Sequence, residues 1–178
     1  MAQPNVAVRY AAALYELSAA AHATDAVGQD LVLLRNLWES DEELRAFLVH
    51  PWVSAEEKVR ALRAALAGSV HTYTLNALAV MVGHGRASLI PELASLFLRA
   101  AEERGRLVYV RVRTAHPLDP AHLAQLKAKL AAALGKEVAL DSEDSPELLA
   151  GAELEVRGKR LDFSAWGRLA RLKERLKG

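Results

Sequence analysis

Six histidines, two glycine-containing stretches and one aspartate–serine pair are the residues of this chain whose types could do chemistry. His116 and His122 are six positions apart, around Pro117 and Pro120. That is not the i, i+4 spacing of a helical metal pair, and no clustered carboxylate stands by as a further ligand. Both read as turn or surface residues. His22, His50 and His71 stand singly near expected helix ends, where a solvated imidazole beside terminal carbonyls is the ordinary arrangement. Gly83-His84-Gly85 and the stretch from Gly151 to Gly158-Lys159 lack the order strand, glycine turn, helix that cradles a phosphate. Asp162 and Ser164 have no histidine placed to serve as their base. No catalytic, cofactor-binding or metal-binding residue is assigned, and no cofactor is expected.

Composition narrows the role further. The 178 residues are 52% hydrophobic and 25% charged, as in a folded globular chain. A net charge of +1 and an aromatic content of 6% give neither the basic footprint nor the stacking platform of a nucleic-acid binder. The charge is uneven, with 9 Lys/Arg and 12 Asp/Glu in residues 1–104 against 14 and 10 in residues 105–178. There is no cysteine, which removes disulfides and thiolate metal sites. No apolar run approaches the roughly 20 residues that cross a bilayer, so direct membrane insertion is not expected. Helical patterning from Pro4–Val6 leaves no room for a leader in the chain as given.

The elements that must position any site change type at Gly105. Upstream, apolar residues recur at helical spacing. Downstream, Leu107–Thr114 alternates with period two, as in a strand with one buried face. Val6, Tyr10, Leu14 and Leu17 stripe a first helix; Val27, Leu31, Leu34 and Trp38 stripe a second. Ser40-Asp41-Glu42-Glu43 and Ser54-Ala55-Glu56-Glu57 read as capping boxes opening a third and a fourth. A fifth helix is expected over about 71–83, and a sixth from Ser88 and Pro91 to Gly105. After the strand, Leu123, Leu126, Leu130 and Leu134 form an amphipathic helix ending at Gly135. Glu137–Leu140 is a short strand, Asp141–Pro146 a polar loop, and two further strands turn at Gly158. Trp166, Leu169, Leu172 and Leu176 stripe a last helix. The expectation is a mainly α chain: a six-helix bundle over 1–105, then a small α+β domain over 106–178.

Two surfaces could bind a partner. The last helix carries Arg168, Arg171, Lys173, Arg175 and Lys177, which either complement its own dipole or meet an acidic helix. The fifth helix has one stripe for the core (Leu75, Leu78, Val82) and a second, partly apolar face of Asn76, Val80 and Gly83. Either neighbours surround this helix, or that face and the small-residue surface of Tyr10 and Ala13 form a groove for a foreign amphipathic helix. With no catalytic cluster in either half, the chain reads as a connector.

Nearly the whole chain resembles the delta subunits of bacterial F-type ATP synthases, counterparts of the mitochondrial oligomycin sensitivity-conferring protein. The resemblance lies in Val6–Leu14, Phe47-Leu48-Val49-His50-Pro51 with Glu56-Glu57-Lys58, Asn76-Ala77-Leu78, Gly85-Arg86 and Leu89-Ile90-Pro91-Glu92. It continues in Thr114–Leu118, Gly135–Val138, Leu148–Gly151, Gly158–Asp162 and Arg168–Leu172. Ala150, Phe163 and Ala165-Trp166-Gly167 depart from the usual pattern. The resemblance implies a non-catalytic peripheral-stalk subunit of a proton-translocating enzyme, one copy per complex, at the cytoplasmic face of the bacterial plasma membrane. It implies that the first domain grips the alpha subunit's N-terminal helix between helices one and five, through Tyr10, Ala13, Leu14, Asn76, Val80 and Gly83. The second domain would bind the C-terminal region of the b subunit, through Trp166, Leu169, Leu172, Arg168 and Arg171. The competing reading is a generic helical scaffold for some other amphipathic helix.

Overall fold

The computed structural model describes residues 4–148, 151–156 and 158–163. The chain divides into two compact units, Met1–Leu107 and Val108–Gly178. The first carries α1 (Pro4–Ala20), α2 (Thr24–Ser40), α3 (Glu42–Val49), α4 (Ala55–Leu66), α5 (Thr72–Gly83) and α6 (Ile90–Glu103), with a 3₁₀ turn at Ala87–Leu89. Both α1 and α2 pack on α6, and α5 packs on α4 and α1. The core is apolar: Phe97, Leu31, Leu78, Met81 and Leu93 are fully buried. The Tyr15 ring lies 6.0 Å from that of Phe97, tilted by 57°, and the Arg104 guanidinium sits 4.4 Å from the Tyr15 centroid.

Local signals set the helix ends. At α4 the Ser54 box forms as the sequence predicts: the Glu57 amide donates to Ser54 Oγ at 3.2 Å, and Glu57 Oε2 accepts from the Ser54 amide at 3.2 Å. The Ser54 hydroxyl and amide hold the Glu57 carboxyl below its ordinary value. At α3 the expectation is corrected by one residue. Asp41 is the cap, accepting from the Leu44 amide at 2.8 Å, while the Ser40 hydroxyl turns back to donate to the Asn36 carbonyl at the end of α2. The link to α4 is clamped by Lys58, buried at 8% exposed, whose ammonium donates to the His50 carbonyl at 2.7 Å. Helix α6 ends at Gly105, whose φ of 68° lets the Arg106 amide reach the Ala101 carbonyl at 3.0 Å and the Gly105 amide reach that of Glu102 at 3.0 Å.

The second unit is a mixed sheet of order β2-β1-β3-β4 with α7 on one face. Its strands are β1 (Leu107–Thr114), β2 (Glu137–Asp144), β3 (Ala152–Val156) and β4 (Lys159–Asp162), and α7 is Pro120–Leu134. Strand β1 runs antiparallel to β3, with Val112 opposite Leu154; β3 runs antiparallel to β4, with Leu154 opposite Leu161. Val108, Val110, Val112, Val138 and Leu140 face Leu123, Leu126 and Leu130 of α7. The other face is charged. Asp141 bonds Tyr109 and Arg111, and Glu153 bonds Arg113 at 2.9 Å and Arg160 at 3.0 Å.

Strand β2 runs on to Asp144, through part of the expected polar loop, because Tyr109 and Arg111 of β1 satisfy Asp141 and leave it 4% exposed. The expected last helix lies outside the described residues. Among the described residues, no helix is long and apolar enough to cross a membrane. Among the described residues the chain is mainly helical with a small four-stranded sheet.

Candidate functional site

On α1, helical spacing separates two adjacent stripes. Ala7, Ala11, Leu14 and Ser18 are buried. Beside them Val6, Tyr10, Ala13 and Leu17 follow one another at i, i+4, i+7 and i+11. Leu17 is 55% exposed, Ala13 is exposed, and Tyr10 is half-buried. Leu14, predicted to touch a partner, is 3% exposed and belongs to the core beneath this face.

The rotation of α5 is set from its N-terminus. His71 caps it, its Nδ1 accepting from the Tyr73 amide at 3.2 Å. Asp30 of α2 accepts from the His71 amide and from the Thr74 hydroxyl, both at 2.7 Å. This differs from the solvated helix-end role expected for His71. With Thr74 tied to α2, Leu78, Met81 and Val82 point inward, and Asn76, Val80 and Gly83 lie on the exposed side. Val80 is 47% exposed. The flanks of this stripe border α4: Asn76 Oδ1 accepts from Arg63 Nη2 at 3.3 Å, and a Cβ at Gly83 would stand 3.9 Å from Val59 Cγ2.

The glycine pair after α5 is a helix stop. Gly85 has φ of 67°; its amide reaches the Val82 carbonyl at 3.0 Å, and the Arg86 amide reaches that of Met81 at 2.8 Å. The reversal carries Arg86 back onto α1, where its Nη1 donates to the Tyr10 hydroxyl at 2.9 Å and its guanidinium lies 5.9 Å from the ring centroid. Val6, Arg9, Tyr10, Ala13 and Arg86 line a cleft of about 390 Å³. The structure therefore brings Tyr10 and Ala13 together at one cleft, with Asn76, Val80 and Gly83 as a separate exposed stripe on α5. Arg9 and Arg86 also line this cleft and were not among the expected site residues. The Gly85-Arg86 pair was the available signal, since a left-handed helix stop throws the following side chain back along the helix.

The second unit has an apolar pocket of about 560 Å³, lined among others by Val112, His116, Leu118, Leu126, Leu154 and Phe163. His116 and His122 both border it, but His122 Nδ1 is taken by Asp119, the N-cap of α7. The His122 backbone amide first, and its ring second, hold the Asp119 carboxyl below its ordinary value. Among the described residues no group of three His, Asp or Glu could hold a metal. Trp166, Arg168, Leu169, Arg171 and Leu172, expected to bind a partner, lie outside the described residues, as does Ser164.

Comparison with known proteins gives one consistent result. The model of the family described as ATP synthase delta (OSCP) subunit matches residues 6–176. The ATP synthase subunit delta of Symbiobacterium thermophilum is 37% identical over 171 residues, covering 96% of this chain and 92% of that one. That of Magnetococcus marinus is 32% identical over 177 residues, covering 99% and 96%. A chain in the structure of the Toxoplasma gondii mitochondrial ATP synthase hexamer has the same fold, with a TM-score of 0.57 over 98% of both chains at 24% identity. The chain belongs to the ATP synthase delta (OSCP) subunit family, and it is a component of the peripheral stalk with no catalytic part of its own.

Proposed function

We propose that this chain is the adaptor that ties the catalytic head of a proton-translocating ATP synthase to its peripheral stalk. The first unit, read as a six-helix bundle, receives the N-terminal helix of an alpha subunit on the face made by α1 and α5. The residues proposed to meet it are Tyr10, Ala13, Asn76, Val80 and Gly83, with Leu14 supporting them from within. The second unit takes the C-terminal region of the b subunit, through the sequence stripe Trp166, Leu169 and Leu172 with Arg168 and Arg171. One copy per complex, at the cytoplasmic face of a bacterial plasma membrane, completes the proposal.

The observation that carries the groove is the pair of part-apolar stripes left outside a well-filled core: Val6, Ala13 and Leu17 on α1, and Val80 on α5. The two helices pack against each other, so one incoming helix can cover both. Small Ala13 and Gly83 allow close backbone approach. A stator must resist torque without bond chemistry, so slow dissociation is what the job demands. Nanomolar affinity corresponds to about −12 kcal/mol, within reach of an apolar interface of about 800 Å² per partner.

Calorimetric titration with an alpha-subunit N-terminal peptide tests the reading. Val80→Asp places a charge on the apolar stripe and is expected to weaken binding roughly 100-fold, about 2.7 kcal/mol. Circular dichroism stays native because Val80 is 47% exposed. Unchanged affinity in that variant removes α5 from the groove.

A further inference from the structure

Two arginines line the cleft. Among the described residues no carboxylate pairs with Arg9 or Arg86, although both line the cavity with Val6, Tyr10 and Ala13. Residues 1–5, next to Val6 in sequence, contain no acid. Arg86 is bound to Tyr10 through a single nitrogen at 2.9 Å, which leaves the rest of its planar fork free to meet a carboxylate. Tyr10 accepts from Arg86, so its own hydroxyl proton points elsewhere and can join the same acceptor. The walls are partly apolar, which strengthens an ionic contact made there.

We infer that the cleft receives a glutamate or aspartate from the partner helix. The occupant is the alpha-subunit N-terminal helix of the preceding section. This inference rests on that reading and adds the chemistry of one contact: the apolar stripe of the incoming helix is bordered by an acid that enters between Arg9 and Arg86. The acid sets register along α1, because an apolar stripe alone tolerates sliding by a helical turn and a fixed ionic contact does not. The bond to Tyr10 explains why Arg86 is held at the cleft rather than extended into solvent. The left-handed stop at Gly85 explains how it gets there.

The test is a charge-swap titration with the full chain. The alpha-subunit N-terminal peptide is compared with versions in which each Asp or Glu is replaced in turn by Asn or Gln. Each is titrated into the unaltered protein, Arg9→Gln and Arg86→Gln. One amide replacement is expected to weaken binding to the unaltered protein about tenfold. Against Arg9→Gln, whose side chain is exposed, the same replacement changes affinity less than about twofold. Arg86→Gln gives the same loss of discrimination, and raised salt removes it in the unaltered protein. If every peptide keeps its relative affinity in both variants, the arginines only solubilise the surface and the inference is overturned. If no peptide binds the unaltered protein, the groove reading itself is overturned, and this contact falls with it.

Discussion

The two units differ in how their charged groups are organised. In the first, the interior is mainly an apolar contact of Phe97, Leu31, Leu78, Met81 and Leu93, with single polar groups such as Lys58 and Thr74 buried beside it, and apolar side chains such as Leu17 and Val80 remain outside. In the second, one sheet face is apolar against α7, and the other is cross-linked by its own charges, with Asp141 and Glu153 nearly buried beneath arginines. A face whose charges already satisfy one another offers little to a partner. A face whose greasy residues the core does not use offers much. On the proposed reading, stability and recognition rest on different residues of the first unit, while the second unit combines an apolar core with a charge-paired face.

Removing a core ring should break this contrast most severely. Phe97→Ala deletes a fully buried side chain that touches Tyr15, and about 3–5 kcal/mol should be lost in urea denaturation. A loss below about 1 kcal/mol would mean that the first unit is not held by this core. Glu153→Gln comes next. It removes the charge shared by Arg113 and Arg160, and should cost about 1–3 kcal/mol, read as a lowered denaturation midpoint. No change would show that the charged face is decorative.

Lys58→Met keeps the buried stem and removes the bond to the His50 carbonyl, at an expected cost of about 1 kcal/mol. A larger loss would give the first unit an ionic dependence like that of the second. The smallest effect belongs to Glu57→Gln. The folded carboxyl of Glu57 is lowered from 4.5, so its contribution is present above that value and is lost as pH falls through the folded one. The gap in denaturation midpoint between this variant and the unaltered protein should therefore close on acidification. A gap independent of pH would mean the capping box works without the charge.

Elements whose signal is local were legible in the sequence. Leu107–Thr114 forms the strand its alternation predicts, and Ser54 and Glu57 form their box. Helix α7 stops at Gly135, which adopts φ of 63° as a glycine there should. What escaped was decided by individual side-chain hydrogen bonds that carry no periodic signal. Ser40 and Asp41 are equally good caps on paper, and the choice fell to Asp41 because the Ser40 hydroxyl bonds back to Asn36. Strand β2 outran its apolar residues because Asp141 finds Tyr109 and Arg111, some thirty positions earlier.

The candidate site shows the same division. Periodicity put Val6, Tyr10, Leu14 and Leu17 on one apolar stripe, whereas the structure buries Leu14 and leaves Leu17 exposed; the resemblance, not the spacing, had set Leu14 among the groove residues. Periodicity also gave no hint that Arg9 and Arg86 line the cleft, since long polar side chains carry no periodic signal. The rotation of α5 that exposes Val80 depends on Asp30, which reaches His71 from another helix.

Hydrogen–deuterium exchange of the intact chain, with and without the alpha-subunit amino-terminal peptide, addresses the central claim most directly. The account predicts slowed exchange along α1 and from α5 through Arg86, with the strands of the second unit unchanged. Protection confined to the second unit, or none anywhere at saturating peptide, would contradict it.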